Sequence, residues 1–345
     1  MRILLILSTL ISLNTWAKPK LHLIKGFLSR PANVEILAQL IDDGEYVPYT
    51  DKKVRDLQVY ESTSTSYKGE LLSKAEGETT KIASPKKTSF VVLLVLDISR
   101  SVDYPALAEQ VYNFAKKSFE VNSNIKFAIN FFDGQNTLFY ISENGGVMSD
   151  YRIYGSKNLA LLKNDLNELN DKREDPSTNL YGSLVQLANS YLPQLKGQIE
   201  RTTPENSIRS YSIVFFTDGK DQAGYTTRSE AERSISKLKN LRDVNLYAVG
   251  VKSQELDEDL LKKFGTYYKA SSYKSLAKNF EDILGNVNKL ANSYFVVRIC
   301  TPKRKSPLRY DFNYESSNFV NGMWFTETLS YTYGCNLQDE SQWRF

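Results

Sequence analysis

A continuous apolar run, Phe90-Val-Val-Leu-Leu-Val-Leu96, ends abruptly in Asp97-Ile-Ser99-Arg-Ser101. A short unbroken run of Val, Leu and Phe reads as a strand buried on both faces. Such a strand belongs in a parallel sheet covered by helices, where ligands sit outside the carboxyl ends of the strands. Here that end delivers one carboxylate and two hydroxyls in close succession. These are hard oxygen donors, suited to Mg²⁺ rather than to Zn²⁺ or copper. One Asp does not neutralise a dication, so a second acidic loop is expected. Ser212-Ile-Val-Phe-Phe-Thr217-Asp218-Gly219 supplies it, again a buried-type strand ending in an acid and a glycine. Taken alone, Asp218-Gly219 is an ordinary turn, and Asp97, Ser99 and Ser101 are a loop capped by its own polar side chains.

The chain around these strands alternates between two periods. Strands are expected at 90–97, 125–132, 211–217 and 244–251, with a short antiparallel edge at 136–142 and a last strand at 267–269. Helices are expected at 104–119, 158–169, 180–192, 228–240, 256–263 and 273–291, the fifth stopped by Gly265. The alternation predicts an α/β fold with a doubly wound, mostly parallel sheet.

Three loops in this order resemble the metal-ion-dependent adhesion site of the von Willebrand factor A family. The family pattern is Asp-x-Ser-x-Ser after the first strand, a Thr on a second loop, and an Asp, often in Thr-Asp-Gly, on a third. This chain offers Asp97, Ser99 and Ser101, then Thr178 in Asp175-Pro-Ser-Thr-Asn-Leu180, then Asp218, with Ser177 a rival to Thr178. The resemblance covers 88–292. It implies a bound divalent cation, Mg²⁺ foremost with Mn²⁺ or Ca²⁺ as alternatives. Ser99, Ser101 and Thr178 would give neutral oxygens, while Asp97 and Asp218 would act through water. It also implies a partner protein that offers an Asp or Glu to the ion. Arg100 either flanks that acidic ligand or is solvent-exposed.

Residues 1–17 are of another kind. Arg2 is their only charge, Ile3-Leu-Leu-Ile-Leu7 begins an apolar stretch, and Thr15-Trp-Ala17 places small residues where cleavage is specified. This is the pattern of a secretory signal peptide. No later segment has the ~20 apolar residues of a spanning helix. The chain is therefore expected to be exported: periplasmic, cell-surface or secreted. The absence of any Asn-x-Ser/Thr sequon favours a bacterial envelope.

Both flanks of 88–292 read as β-structure. Asn33–Ile41 runs into Asp42-Asp-Gly-Glu45, a hairpin signal, and Val54–Glu61 and Gly69–Lys74 follow. On the far side lie Tyr294–Cys300, Leu308–Tyr314 and Thr326–Tyr333. Neither flank has strands enough for an independent sandwich. The expected organisation is 18–87 and 293–345 sharing one β-sandwich, with 88–292 inserted; the alternative is two separate decorations. Cys300 and Cys335, the only cysteines, are expected to pair in an oxidising compartment, against the alternative of two buried thiols.

Composition narrows the function. His22 is the only histidine and is remote from the acidic loops, so Ser-His-Asp, Cys-His and His-based zinc chemistry are hard to assemble. A net charge of +4 in 345 residues gives no argument for nucleic acid. Pro302-Lys-Arg-Lys-Ser-Pro-Leu-Arg309 reads as a solvated turn before a polyanion site. The expectation is a protein-binding adhesion module, not an enzyme. A metal-dependent envelope hydrolase and a structural protein with an idle site are the alternatives, and the oligomeric state is left open.

Overall fold

The computed structural model describes residues 20–29, 33–42, 45–51, 54, 57–62, 70–72, 77–81, 88–135, 139–140, 142, 150–169, 177–204, 207–253, 255–300, 308–314 and 318–325. Residues 1–17, the basic turn at 302–307, the expected strand at 326–333 and Cys335 lie outside them. The chain divides into two compact units, one of 1–81 with 292–344 and one of 82–291 with Phe345.

The second unit is built on a sheet of six strands. They are β7 (Thr88–Asp97), β8 (Ile125–Phe132), β9 (Phe139–Tyr140), β10 (Ile208–Thr217), β11 (Val244–Val251) and β12 (Thr266–Ala270). Their order across the sheet is β12-β11-β10-β7-β8-β9, parallel throughout except for the antiparallel edge β9. In chain order this is the doubly wound 3-2-1-4-5-6 arrangement, whose topological switch falls between β7 and β10. Every residue of β7 after Thr88 is buried, as its continuous apolar sequence requires.

Helices cover the sheet: α1 (Tyr104–Val121), α2 (Leu159–Leu169), α3 (Leu180–Gln186), α4 (Leu192–Thr202), α5 (Arg228–Lys239), α6 (Glu258–Phe264) and α7 (Leu276–Ser293). One face of the sheet buries Val91, Leu93, Val95, Ile213 and Phe215 against Leu180, Leu184, Leu195, Ile235 and Leu261. The helix expected at 180–192 runs further. It passes through a π turn, Leu187–Tyr191, and continues as α4 to Thr202. Pro193 has no N–H for the carbonyl four residues back, and a widened turn accommodates that lost bond without ending the helix.

The first unit has two antiparallel sheets. One has the order β1-β2-β13-β6, from β1 (Lys20–Ser29), β2 (Asn33–Asp42), β6 (Gly77–Lys81) and β13 (Tyr294–Cys300); β3 (Glu45–Tyr46) pairs with β2 as a hairpin. The other has the order β15-β14-β4-β5, from β4 (Gln58–Ser62), β5 (Glu70–Leu71), β14 (Leu308–Tyr314) and β15 (Asn318–Phe325). Each sheet interleaves strands from both ends of the chain. They share a core in which Val34, Ile36 and Val297 of one meet Val59, Tyr310 and Phe312 of the other. β1, β6 and β15 are additions to the strands read from sequence.

Candidate metal centre

The site forms where β7 and β10, neighbours across the switch point, end together. Asp97 is the last residue of β7 and Thr217 the last of β10. The Thr217 hydroxyl donates to Asp97 Oδ2 at 2.6 Å and accepts from the Gly219 N–H at 3.1 Å. The other Asp97 oxygen accepts the Ser99 N–H at 2.9 Å, so the carboxylate shapes its own loop. A further bond, from Ile98 N–H to the Phe132 carbonyl at 2.9 Å, ties that loop to the end of β8.

A string of oxygens then crosses the site. The Thr178 hydroxyl donates to Ser99 Oγ at 3.2 Å; Ser99 Oγ and Ser101 Oγ are 3.1 Å apart; Ser101 donates to Asp218 Oδ1 at 2.8 Å. Thr178 is fixed by its backbone: its carbonyl accepts from Gln222 and Ala223 N–H at 2.8 and 3.2 Å. The next residue, Asn179, bonds to the Asp133 carbonyl at 2.9 Å and caps α3 through Gly182 N–H at 3.0 Å. Gly219 keeps this junction close, since a β-carbon there would lie 3.3 Å from the Thr178 hydroxyl. Asp97, Ser99, Thr178 and Asp218 are buried, while Ser101 and Arg100 are exposed, so the string opens to solvent at Ser101.

Burial pushes the Asp97 carboxyl up to about 7; the Thr217 and Ser99 hydrogen bonds pull it back, and the nearby Asp218 adds to the rise. Among the described residues, no group of three or more His, Cys, Asp or Glu is placed to hold a metal. A cation at this site would therefore rely on hydroxyls. Two of the spacings suit one. Adjacent ligands of octahedral Mg²⁺ at ~2.1 Å lie about 3 Å apart. The Thr178–Ser99 and Ser99–Ser101 hydroxyls already stand at 3.2 and 3.1 Å. The donors are hard oxygens, and the residues present fit such an ion.

The sheet order, with these three loops meeting at its switch point, decides the fold. The second unit has a von Willebrand factor A fold. No protein-family model matches the chain, and no curated protein does. Among solved structures it is similar to a von Willebrand factor type A protein from Catenulispora acidiphila, at 12% identity over 95% of this chain and 76% of that one, TM-score 0.43. It is also similar to a manganese-loaded TRAP protein of Plasmodium vivax, at 16% identity over 74% of this chain and 98% of that one, TM-score 0.38. The pilus adhesin SpaC of Lactobacillus rhamnosus GG is a third, at 10% identity over 88% of this chain and 46% of that one, TM-score 0.43.

Two residues of the second unit line the candidate site without having been singled out from sequence. Thr217 holds Asp97. Tyr273, in the single 3₁₀ turn Tyr273–Ser275 before α7, donates its hydroxyl to Asp218 Oδ2 at 2.9 Å. Thr217 was legible as a member of the Thr-Asp-Gly run, but its direction was not. Nothing local marks Tyr273, because only folding brings it to Asp218.

Proposed function

We propose that Asp97, Ser99, Ser101, Thr178 and Asp218 hold one divalent cation, Mg²⁺ foremost with Mn²⁺ or Ca²⁺ as alternatives, and that the unit binds a protein partner through it. Ser99, Ser101 and Thr178 supply neutral oxygens; Asp97 and Asp218 act from one shell further out, through water. When bound, the ion acts as a concentrated positive charge with an open position, and an Asp or Glu of the partner fills it. The observation that carries this reading is the unbroken string from Thr178 through Ser99 and Ser101 to Asp218. Hydrogen-bonded hydroxyls with octahedral-edge spacing need little rearrangement to accept an ion. The protein is read as a binding module, not an enzyme.

Calorimetric titration of the purified protein with Mg²⁺ and Mn²⁺ tests the site. Asp97→Ala should abolish binding while leaving the fold intact; unchanged titration in this variant overturns the assignment. Retention of envelope proteins on the immobilised chain should disappear both with chelator and in Asp97→Ala. Export, with removal of 1–17 and pairing of Cys300 with Cys335, belongs to the same reading. Intact mass of native material should start at Lys18 and show no alkylatable thiol.

A further inference from the structure

We infer that Tyr273 is a positioning residue that sets which cation the site accepts, by holding one oxygen of Asp218 away from it. This rests on the reading of the five residues as a cation site. Asp218 has both carboxylate oxygens engaged: Oδ1 accepts from Ser101 at 2.8 Å and Oδ2 from Tyr273 at 2.9 Å. Asp97 is engaged likewise, by Ser99 N–H at 2.9 Å and Thr217 at 2.6 Å. Neither carboxylate can turn both oxygens to an ion without giving up a buried or half-buried hydrogen bond.

That constraint discriminates by ion. Ca²⁺ takes six to eight oxygens at about 2.3–2.6 Å, often with a bidentate carboxylate, whereas Mg²⁺ takes six at about 2.0–2.1 Å and keeps several waters. A site whose carboxylates are each tied on both sides suits the smaller ion and handicaps the larger. Thr217 performs this for Asp97 from inside the sheet. Tyr273 performs it for Asp218 from a separate element, the turn that opens α7.

The phenol is itself well held. Its ring lies tilted against Phe216 with centroids 6.1 Å apart, and the turn that carries it packs on α1, the helix that follows the first loop. Tyr273→Phe keeps the ring against Phe216 and removes only the bond to Asp218.

The test is the ratio of Ca²⁺ to Mg²⁺ affinity, measured by calorimetry on the full chain, for wild type, Tyr273→Phe and Tyr273→His. A general loosening of the site would weaken both ions together and leave the ratio unmoved. Releasing Asp218 Oδ2 should raise the preference for Ca²⁺ over Mg²⁺ by about tenfold in Tyr273→Phe, since a hydrogen bond to a charged group contributes on that order. Tyr273→His, which keeps a donor, should restore part of the wild-type ratio. A ratio unchanged in Tyr273→Phe, with wild type still binding Mg²⁺, overturns the role of Tyr273 and leaves the site assignment standing. Failure of wild type to bind either ion overturns both. If Tyr273→Phe does not fold, as read by its melt, Tyr273→Leu, which also lacks a donor, takes its place: a shift toward Ca²⁺ of about tenfold supports the role, and an unchanged ratio overturns it.

Discussion

Cut off from solvent, Asp97 is held where burial favours its neutral form and raises its carboxyl to about 7, although the hydrogen bonds from Thr217 and Ser99 favour the ionised form. A group whose folded value lies above its unfolded one stabilises the fold fully below the unfolded value. That stability is lost as pH rises through the folded value. For Asp97 the window runs from about 4 to about 7. Without a cation the protein should therefore melt at lower temperature at pH 8 than at pH 5.5 on this group's account. A bound dication reverses the preference, because it favours the ionised form and competes with the proton. The rise in melting temperature on adding Mg²⁺ should be larger at pH 8 than at pH 5.5. Asp97→Asn should remove the pH dependence, raise the melting temperature of cation-free protein at pH 8, and show little response to Mg²⁺. Scanning calorimetry with and without chelator checks all three, and a wild-type response to Mg²⁺ independent of pH would contradict the argument.

At the scale of elements, the N-terminus of α3 decides where Thr178 stands. Asn179 caps this helix, and Gly182 allows it: a β-carbon at Gly182 would lie 2.4–2.7 Å from the Asn179 side chain. Gly182→Ala should displace the cap, lowering stability by about 1 kcal/mol or more. It should also weaken cation binding, because Thr178 precedes the cap directly. Asn179→Ala should produce both effects without the clash. Denaturant midpoints set beside titration would separate this coupled loss from a purely thermodynamic one, in which binding is unaffected at low temperature. Further along, the π turn at Leu187–Tyr191 turns the Tyr191 carbonyl toward the Tyr151 hydroxyl at 3.3 Å. Tyr151 in turn stacks on Tyr140 of the edge strand β9, with ring centroids 4.1 Å apart.

For the whole molecule, strand pairing sets what can fold alone. The sheet β12-β11-β10-β7-β8-β9 is complete within 88–292. A fragment of those residues should melt cooperatively and bind Mg²⁺ like the full chain. The flank 18–87 should not fold. β2 and β6 are both bonded to β13 and not to one another, and β4 has its long partner in β14. Removing the C-terminal strands leaves hairpin-sized pieces, too small to be stable. Circular dichroism and melting of the two fragments check this; a cooperative melt of the isolated 18–87 would contradict it.

Much of the second unit was determined by local sequence. Apolar runs at 90–96 and 213–216 mark β7 and β10 because a strand buried on both faces has no polar side to show; shorter runs mark β8, around Lys126 and Asn130, and β11 after Asn245; and Gly265 ends α6 where sequence places the stop. Asp97, Ser99, Ser101 and Asp218, proposed as the cation's holders, stood out because they lie at or just past the ends of β7 and β10, whereas Thr178 lies before α3 instead. Other features had no local signal. β1 was missed because a bulge between Leu23 and Lys25 breaks its alternation, and β6, Gly77–Lys81, because a polar edge strand has no apolar face to read. The helix beyond Leu192 was missed because Pro193 reads as a stop until a π turn absorbs it. The directions of Thr217 and Tyr273 were decided only by tertiary structure. A hydrogen bond between residues far apart in the chain depends on the strand order that brings β7 beside β10 and the start of α7 against Asp218, and sequence spacing carries no record of that order.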